Sequence, residues 1–404
     1  MESLGTAHFH SAALEVCAAV NDNFAMILPF LLFLVLQGSE SRLRRAVSEN
    51  PQEAQGYLDL SRFLEQQGKI PQAIEVLHQG LSKLPQSAAI RQEIGALYAA
   101  QKQFGKAAEQ FESALKLNPS SADLRHNLAA ARLQQGVESF EAQDFEQSRS
   151  FLERAFSLEP DLPGLSYVLG LACFKLQDLP KAVELLERAA ARGSEDPEVR
   201  FNLGLAYSAQ NRWKEAQEAF RAALKRGPDF APAYLYLGRA LHEDNRSETS
   251  LQYFKKALEL NPKLSLAHYH LGFALKGLAR YEEAWAELFR ETEITPGFPM
   301  SYLQLGIIAQ EQGKTDEALK LLRRAIELDP KITQAYYYLG KALLQAGKDA
   351  EAAVALEQDL KLAPNHLEGR YLLARAYQKV GRAEEARREM SLYQKLAEAQ
   401  RTPK

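Results

Sequence analysis

The sequence predicts an all-α solenoid of about ten helix-turn-helix repeats. Three observations predict it. Prolines stand at Pro51, Pro85, Pro119, Pro160, Pro228, Pro262, Pro296, Pro330 and Pro364, in steps of 34, 34, 41, 68, 34, 34, 34 and 34 residues. Within each period a Leu-Gly pair, a small residue and a large apolar residue recur at fixed spacing. The composition, 46% hydrophobic and 25% charged, is that of a folded chain rather than a disordered or multi-span membrane protein.

The chain opens with a hydrophobic leader, residues 1–38. Phe24 to Leu36 is an unbroken run of 13 apolar residues. As a helix it would reach about 20 Å, short of the roughly 20 residues a bilayer core needs. Its length suits the h-region of a signal peptide, although no Lys or Arg precedes it and no A-x-A site follows. A start at Met26 would leave a very short leader. Three readings stand: an export signal, a membrane anchor, or a hydrophobic cap on the first repeat. The first two place the protein outside the cytoplasm (periplasmic or secreted) or at a membrane, the third in the cytoplasm. Membrane contact is available only through residues 24–36, and no cysteine follows the run to carry a lipid.

Residues 39–53 come next. Ser39, Leu43, Ala46 and Pro51 match only the second helix of a repeat, so 39–49 reads as an N-terminal capping helix. The array follows over 54–400, with units starting near 54, 88, 122, 163, 197, 231, 265, 299, 333 and 367. Leu-Gly or its near equivalent lies at Ile94-Gly95, Leu169-Gly170, Leu203-Gly204, Leu237-Gly238, Leu271-Gly272, Leu305-Gly306 and Leu339-Gly340. Thirteen residues after the Leu position come Ala73, Ala107, Ala182, Ala216, Ser250, Ala284, Ala318, Ala352 and Ala386. Four further on come Leu77, Phe111, Leu186, Phe220, Phe254, Leu288, Leu322, Leu356 and Met390. Apolar residues at three- and four-residue spacing make two amphipathic helices per unit. Small residues let the pair approach, and the large residue fills the space beside them. Gly68, Asn211, Asn245, Gly313, Gly347 and Gly381 suit the left-handed turn between the two helices. The third unit carries seven extra residues, close to two helical turns, which lengthen a helix and keep its faces nearly in phase. It has Ala129 where glycine is usual. Glu291 and Asp359 replace a small residue late in the second helix of units seven and nine, so looser joints are expected there. Residues 387–400 read as a solvated terminal helix and 401–404 as a tail.

Chemistry is not written into this pattern. Residues 1–38 hold Glu2, Glu15 and Asp22 and no cation, leaving 49 basic against 49 acidic residues beyond them. A neutral chain lacks the basic stripe that nucleic acid binding requires. Cys17 and Cys173 cannot frame a disulfide scaffold or a zinc site, and Cys173 sits where other units have a core tyrosine. No phosphate loop, dinucleotide fingerprint, metalloprotease or nucleophile-elbow motif occurs. His268 and His270 are two apart on a helix, cannot share a metal, and read as surface or groove residues. Glu282-Glu283 and Glu384-Glu385 sit where carboxylates favour a helix N-terminus. No catalysis, cofactor or metal is expected.

The ten-fold pattern resembles the tetratricopeptide repeat, or TPR, family over about residues 54–400. That resemblance implies a right-handed superhelical solenoid whose first helices line a concave, protein-binding face. Carried over by position, the fifth and ninth residues of units four to ten supply Tyr167, Leu171, Phe201, Leu205, Arg239, Tyr269, Phe273, Tyr337, Lys341, Tyr371 and Arg375. Aromatic residues with Arg are typical interface anchors, and this strip suits an extended or helical apolar segment with acidic flanks. Packing of the same side chains on neighbouring helices is the bland alternative. The Lys and Asn pair of the family's chaperone-tail binders is absent. So is the Asn ladder of the O-GlcNAc transferase branch, of which only Asn127 and Asn202 occupy the matching place. The implied function is a non-catalytic scaffold or adaptor for partner proteins. The alternatives are a membrane-tethered assembly factor and the substrate-recognition subunit of a partner enzyme.

Overall fold

A computed structural model describes residues 39–192 and 196–401, and the apolar run of 24–36 with the rest of the leader lies outside the described residues. Twenty-one helices and no strand occur among the described residues, and none of those helices is long and apolar enough to cross a membrane. The chain divides into two compact units after Asp178.

In the first unit, α1 (residues 39–49) precedes α2 (Ala54–Gln66) and α3 (Ile70–Lys83). Then come α4 (Ala88–Ala100), α5 (Phe104–Leu117), α6 (Ala122–Glu141), α7 (Phe145–Leu158) and α8 (Leu165–Lys175). The cap expected at 39–49 is present: Leu43 and Val47 pack on the cluster of Tyr57, Leu60, Leu64 and Leu77. The second unit holds α9 (Leu179–Ala191), α10 (Pro197–Ala209), α11 (Trp213–Arg226), α12 (Ala231–Glu243), α13 (Ser247–Leu260) and α14 (Ala267–Gly277). It continues with α15 (Tyr281–Ile294), α16 (Pro299–Glu311), α17 (Thr315–Leu328), α18 (Thr333–Gln345), α19 (Asp349–Leu362), α20 (Leu367–Lys379) and α21 (Ala383–Arg401). Even-numbered elements are the first helices of the repeats.

Turns inside a repeat close alike. Gly68 has φ +72°, and the N–H of Lys69 returns to the Leu64 carbonyl at 2.9 Å, a six-to-one closure as in a Schellman cap. Every turn residue foreseen for this conformation adopts it, and so do Lys102, Gln143, Gln177 and Ala279. Gly95, Gly204, Gly238, Gly272, Gly306 and Gly340 are required by contact. A Cβ on Gly204 would lie 2.5 Å from the Phe220 ring, so the helices meet at a distance only glycine permits. Burial follows the pattern, with Phe220, Leu322 and Leu356 at 0% exposure and each such side chain contributing about 1.5–3 kcal/mol.

Four expectations gain detail or correction. The extra residues of the third repeat do lengthen its first helix, since α6 has 20 residues against 13 in α4. Its contact glycine is Gly136, however, not a substitute at Ala129. A Cβ there would stand 2.5 Å from Leu152, and Ser148 Oγ donates to the Gly136 carbonyl at 2.7 Å. Seven residues turn a helix through nearly two full circles, so Ala129 and Gly136 share a face. Second, the first helices of repeats four and seven begin at Leu165 and Ala267, two residues into their units, after left-handed Gly164 and Leu266.

Third, the joint at Glu291 is filled rather than loose. Its carboxylate is fully buried and accepts from Leu266 N–H at 2.9 Å, Tyr269 N–H at 3.2 Å and Thr295 Oγ1 at 2.7 Å. It thereby caps α14, whose own N-cap residue offers no side-chain acceptor. Asp359 is equally buried, with Oδ2 against His366 Nδ1 at 2.7 Å, and Gly369 is needed because a Cβ would meet that oxygen. Burial raises the Asp359 pKa against the opposing pull of His366. Fourth, His268 is no surface residue: it is buried between Glu287, at 2.5 Å, and the Pro262 carbonyl, at 3.2 Å.

Candidate functional site

In the second unit each first helix packs closely on the next, α10 with α12 and so on to α20, whereas the backbones of consecutive second helices stand farther apart and are linked by exposed side chains such as Arg323 and Glu351 at 2.8 Å. The first helices therefore form the inner layer of the stack. The nine sequence-predicted site residues of this unit lie in that layer, on α10, α12, α14, α18 and α20. Tyr167 and Leu171 lie on α8, in the first unit, and both are half-buried.

The predicted residues differ in how much surface they offer. Tyr269 is buried, with 9% exposure, and burial pushes its hydroxyl up to about 12. Its ring stacks on Phe273 at 5.9 Å and meets Phe298 edge-on at 5.0 Å. Phe201 sits among Phe220, Phe230 and Tyr236, with centroids 5.0–5.7 Å away. These two rings are joint-builders first. Phe273, Leu205, Tyr337 and Lys341 are half-buried, and Arg239, Tyr371 and Arg375 are exposed. Repeat eight contributes no outward residue at the same two positions, because Leu303 and Ile307 are both core.

Cations lie on the rings. Lys341 Nζ is 5.8 Å from the Tyr338 centroid, and the Arg375 guanidinium is 5.9 Å from that of Tyr371. Neither they nor Arg239 make an ion pair among the described residues. Tyr337 packs on Tyr338 at 5.0 Å and on His366 at 4.8 Å. The surface that results from α18 to α20 is aromatic, partly open and positively charged, suited to cation–π and carboxylate contacts with a bound chain.

Other residues of this layer were not among the predicted site residues. Lys276 donates to Gln304 Oε1 at 2.5 Å and lies 5.2 Å from the Phe273 ring, and burial lowers its pKa. Gln310 Nε2 donates to Gln345 Oε1 at 3.2 Å. His270 stacks on Phe254 at 6.1 Å, and burial pushes its imidazole down to about 4. Their signal was available: Tyr236, His270, Gln304 and Tyr338 recur one place after the fifth position, on the same helical face as the ninth.

Comparison with known proteins agrees with the architecture. Models described as tetratricopeptide repeat match residues 36–94, 139–203, 201–265, 253–286, 303–366 and 367–390, and one described as TPR repeat matches 95–136. No curated protein matches the sequence. Among solved structures, a tetratricopeptide repeat protein from Parabacteroides merdae is 18% identical with a TM-score of 0.50, over 61% of this chain and 98% of that one. The APC/C hetero-tetramer Cut9–Hcn1 is 14% identical with a TM-score of 0.49, over 95% of both chains. YrrB, a TPR protein with an unusual peptide-binding site, is 21% identical with a TM-score of 0.40, over 49% of this chain and 98% of that one.

Proposed function

We infer, from the premise that the chain belongs to the tetratricopeptide repeat family, that it is a non-catalytic scaffold for partner proteins. Its inner layer in the second unit receives an extended or helical partner segment with apolar anchors and acidic flanks. The supporting observation is the aromatic surface of α18 and α20, which carries two cations with no ion pair among the described residues, Lys341 and Arg375, over the rings of Tyr338 and Tyr371. A carboxylate of the partner would complete those cations at little desolvation cost, and the rings would supply the apolar area.

The test is affinity capture by the full chain beside a variant with Tyr337, Lys341, Tyr371 and Arg375 all changed to Ala. These four leave the joints at Tyr269 and Phe201 intact. Partners bound tenfold or more weakly, roughly, by the variant support the reading, and an unchanged set removes it.

A second reading keeps the scaffold and adds a tether. The 13-residue apolar run at 24–36 supports placing the protein at a membrane or exporting it. Fractionation of chains 1–404 and 39–404 tests the tether: membrane recovery of the 1–404 chain alone supports it, and equal partition into the soluble fraction removes it.

A further inference from the structure

The lengthened third repeat opens a second surface, entirely within the first unit. Helix α6 serves two registers. Its early residues Leu124 and Leu128 join the cluster of Ala107, Phe111 and Ala114 on α5. Its later residue Gly136 receives Leu152 of α7. The second partner is thus displaced along α6 by the seven added residues, about 10 Å at 1.5 Å per residue. Helix α6 also outruns α7, with 20 residues against 14. The end of α7 is tied to α6 by His126 Nδ1 and Glu159 Oε2 at 2.9 Å.

Between α5 and α7, whose backbones stand apart, the floor of α6 lies open. A cavity of about 720 Å³ remains there, within the range that suits a bound side chain or short segment. Leu115, Pro119, Leu128 and Leu158 form its apolar part. Lys116, Arg132 and Arg154 supply three cations and Glu112 a single anion. Glu112 is already engaged, by Arg132 at 2.9 Å and Lys116 at 3.3 Å, and its pKa is lowered first by the Lys116 contact. Arg154 is exposed and makes no ion pair or side-chain hydrogen bond among the described residues. Residues 39–404 as a whole are neutral, so this local excess of positive charge is a property of the notch and not of the chain.

We propose that the notch between α5 and α7 is a second docking site, which takes a short acidic-aliphatic segment of a partner protein. An aliphatic side chain seats on Leu115, Leu128 and Leu158 while a neighbouring carboxylate meets Arg154. Charge complementarity selects the occupant: a basic segment would face three cations, and a purely apolar one would leave Arg154 unmet.

The test is selection of short random displayed peptides on the full chain, run in parallel on the Arg154→Glu chain and on a Tyr337→Ala, Lys341→Ala chain. Arg154 is exposed, so its reversal leaves packing untouched, which circular dichroism verifies. The expected result is a peptide class that joins Leu, Ile or Met to a nearby Asp or Glu. It is lost only with Arg154→Glu, and its resynthesised member binds that variant about tenfold more weakly. The proposal is overturned if no class is lost with Arg154→Glu alone. It is also overturned if the lost class carries no acid, or if a synthetic peptide of residues 24–36 displaces it, which would make the notch a seat for the chain's own leader.

Discussion

Repeats seven and eight place different residues at one structural position. Late in α15 stands Glu291, and late in α17 stands Ala325, both fully buried. Ala325 belongs to an apolar cluster with Leu322, Leu339 and Ala335. Glu291 instead turns its carboxylate to the backbone of α14. The difference shows at the start of the following helix: Leu266 holds φ +67°, an uncommon conformation for a branched residue, whereas Ile332 ahead of α18 holds an ordinary φ of −73°. Repeat four starts late in the same way, but with Gly164, which meets φ +78° at no steric cost. A small residue therefore suffices ahead of α18, while the buried acid of repeat seven bonds to the amides of a left-handed entry.

That contrast can be broken from both sides, with hydrogen exchange over α14 to α17 as the local measure, since a solenoid need not unfold in one step. Ala325→Glu forces a charge and a larger side chain into an apolar cluster, and we expect a loss of about 4 kcal/mol or more in local protection at α16 and α17. Glu291→Ala orphans the Leu266 and Tyr269 amides, with an expected loss of about 3 kcal/mol at α14, and Glu291→Gln should lose about half of that. Equal small effects at both positions would show that the two joints tolerate charge alike.

The third prediction is of pH. His270 is held neutral by burial, with its native pKa at about 4 against an ordinary 6.5. The unfolded chain therefore takes up a proton below 6.5 that the native state refuses, and stability falls as pH drops from 6.5 toward 4. The loss should be about 2 kcal/mol by pH ~5, and His270→Phe should flatten it. His268 is shifted upward, chiefly by its bond to Glu287, so its stabilisation is complete below 6.5 and fades above, outside that window. The smallest effect belongs to the exposed inter-repeat pair Arg323–Glu351, at 2.8 Å with both side chains about half exposed. Arg323→Ala should cost about 0.5 kcal/mol and respond to salt, in contrast to the buried carboxylate.

The repeats were legible because periodicity survives projection onto a line: proline, Leu-Gly and large apolar residues return every 34 places. The place of the insertion was not read correctly, although Gly136 stands 16 residues before Leu152, as Gly204 does before Phe220. The partners of Glu291 were illegible for a different reason. They exist only because α14 starts two residues late, and that follows from the conformation of Leu266. The inner layer was foreseen by position, yet position does not fix exposure. Tyr269 and Tyr371 occupy equivalent places, but the first is buried, with Phe298 edge-on at 5.0 Å, while the second stays 41% exposed with Tyr393 at 5.7 Å.

The two-turn extension of α6 also bears on how such arrays change length. A splice of seven residues returns the apolar stripe to nearly its old azimuth, whereas five would swing it by about 140° into solvent. Growth is thus quantised: after 34 residues, 41 is a permitted size, and the stripe acts as a vernier that rejects most lengths between. Each permitted step also slides one second helix past its neighbour, so enlarging a repeat and opening a new recess in its flank are the same event.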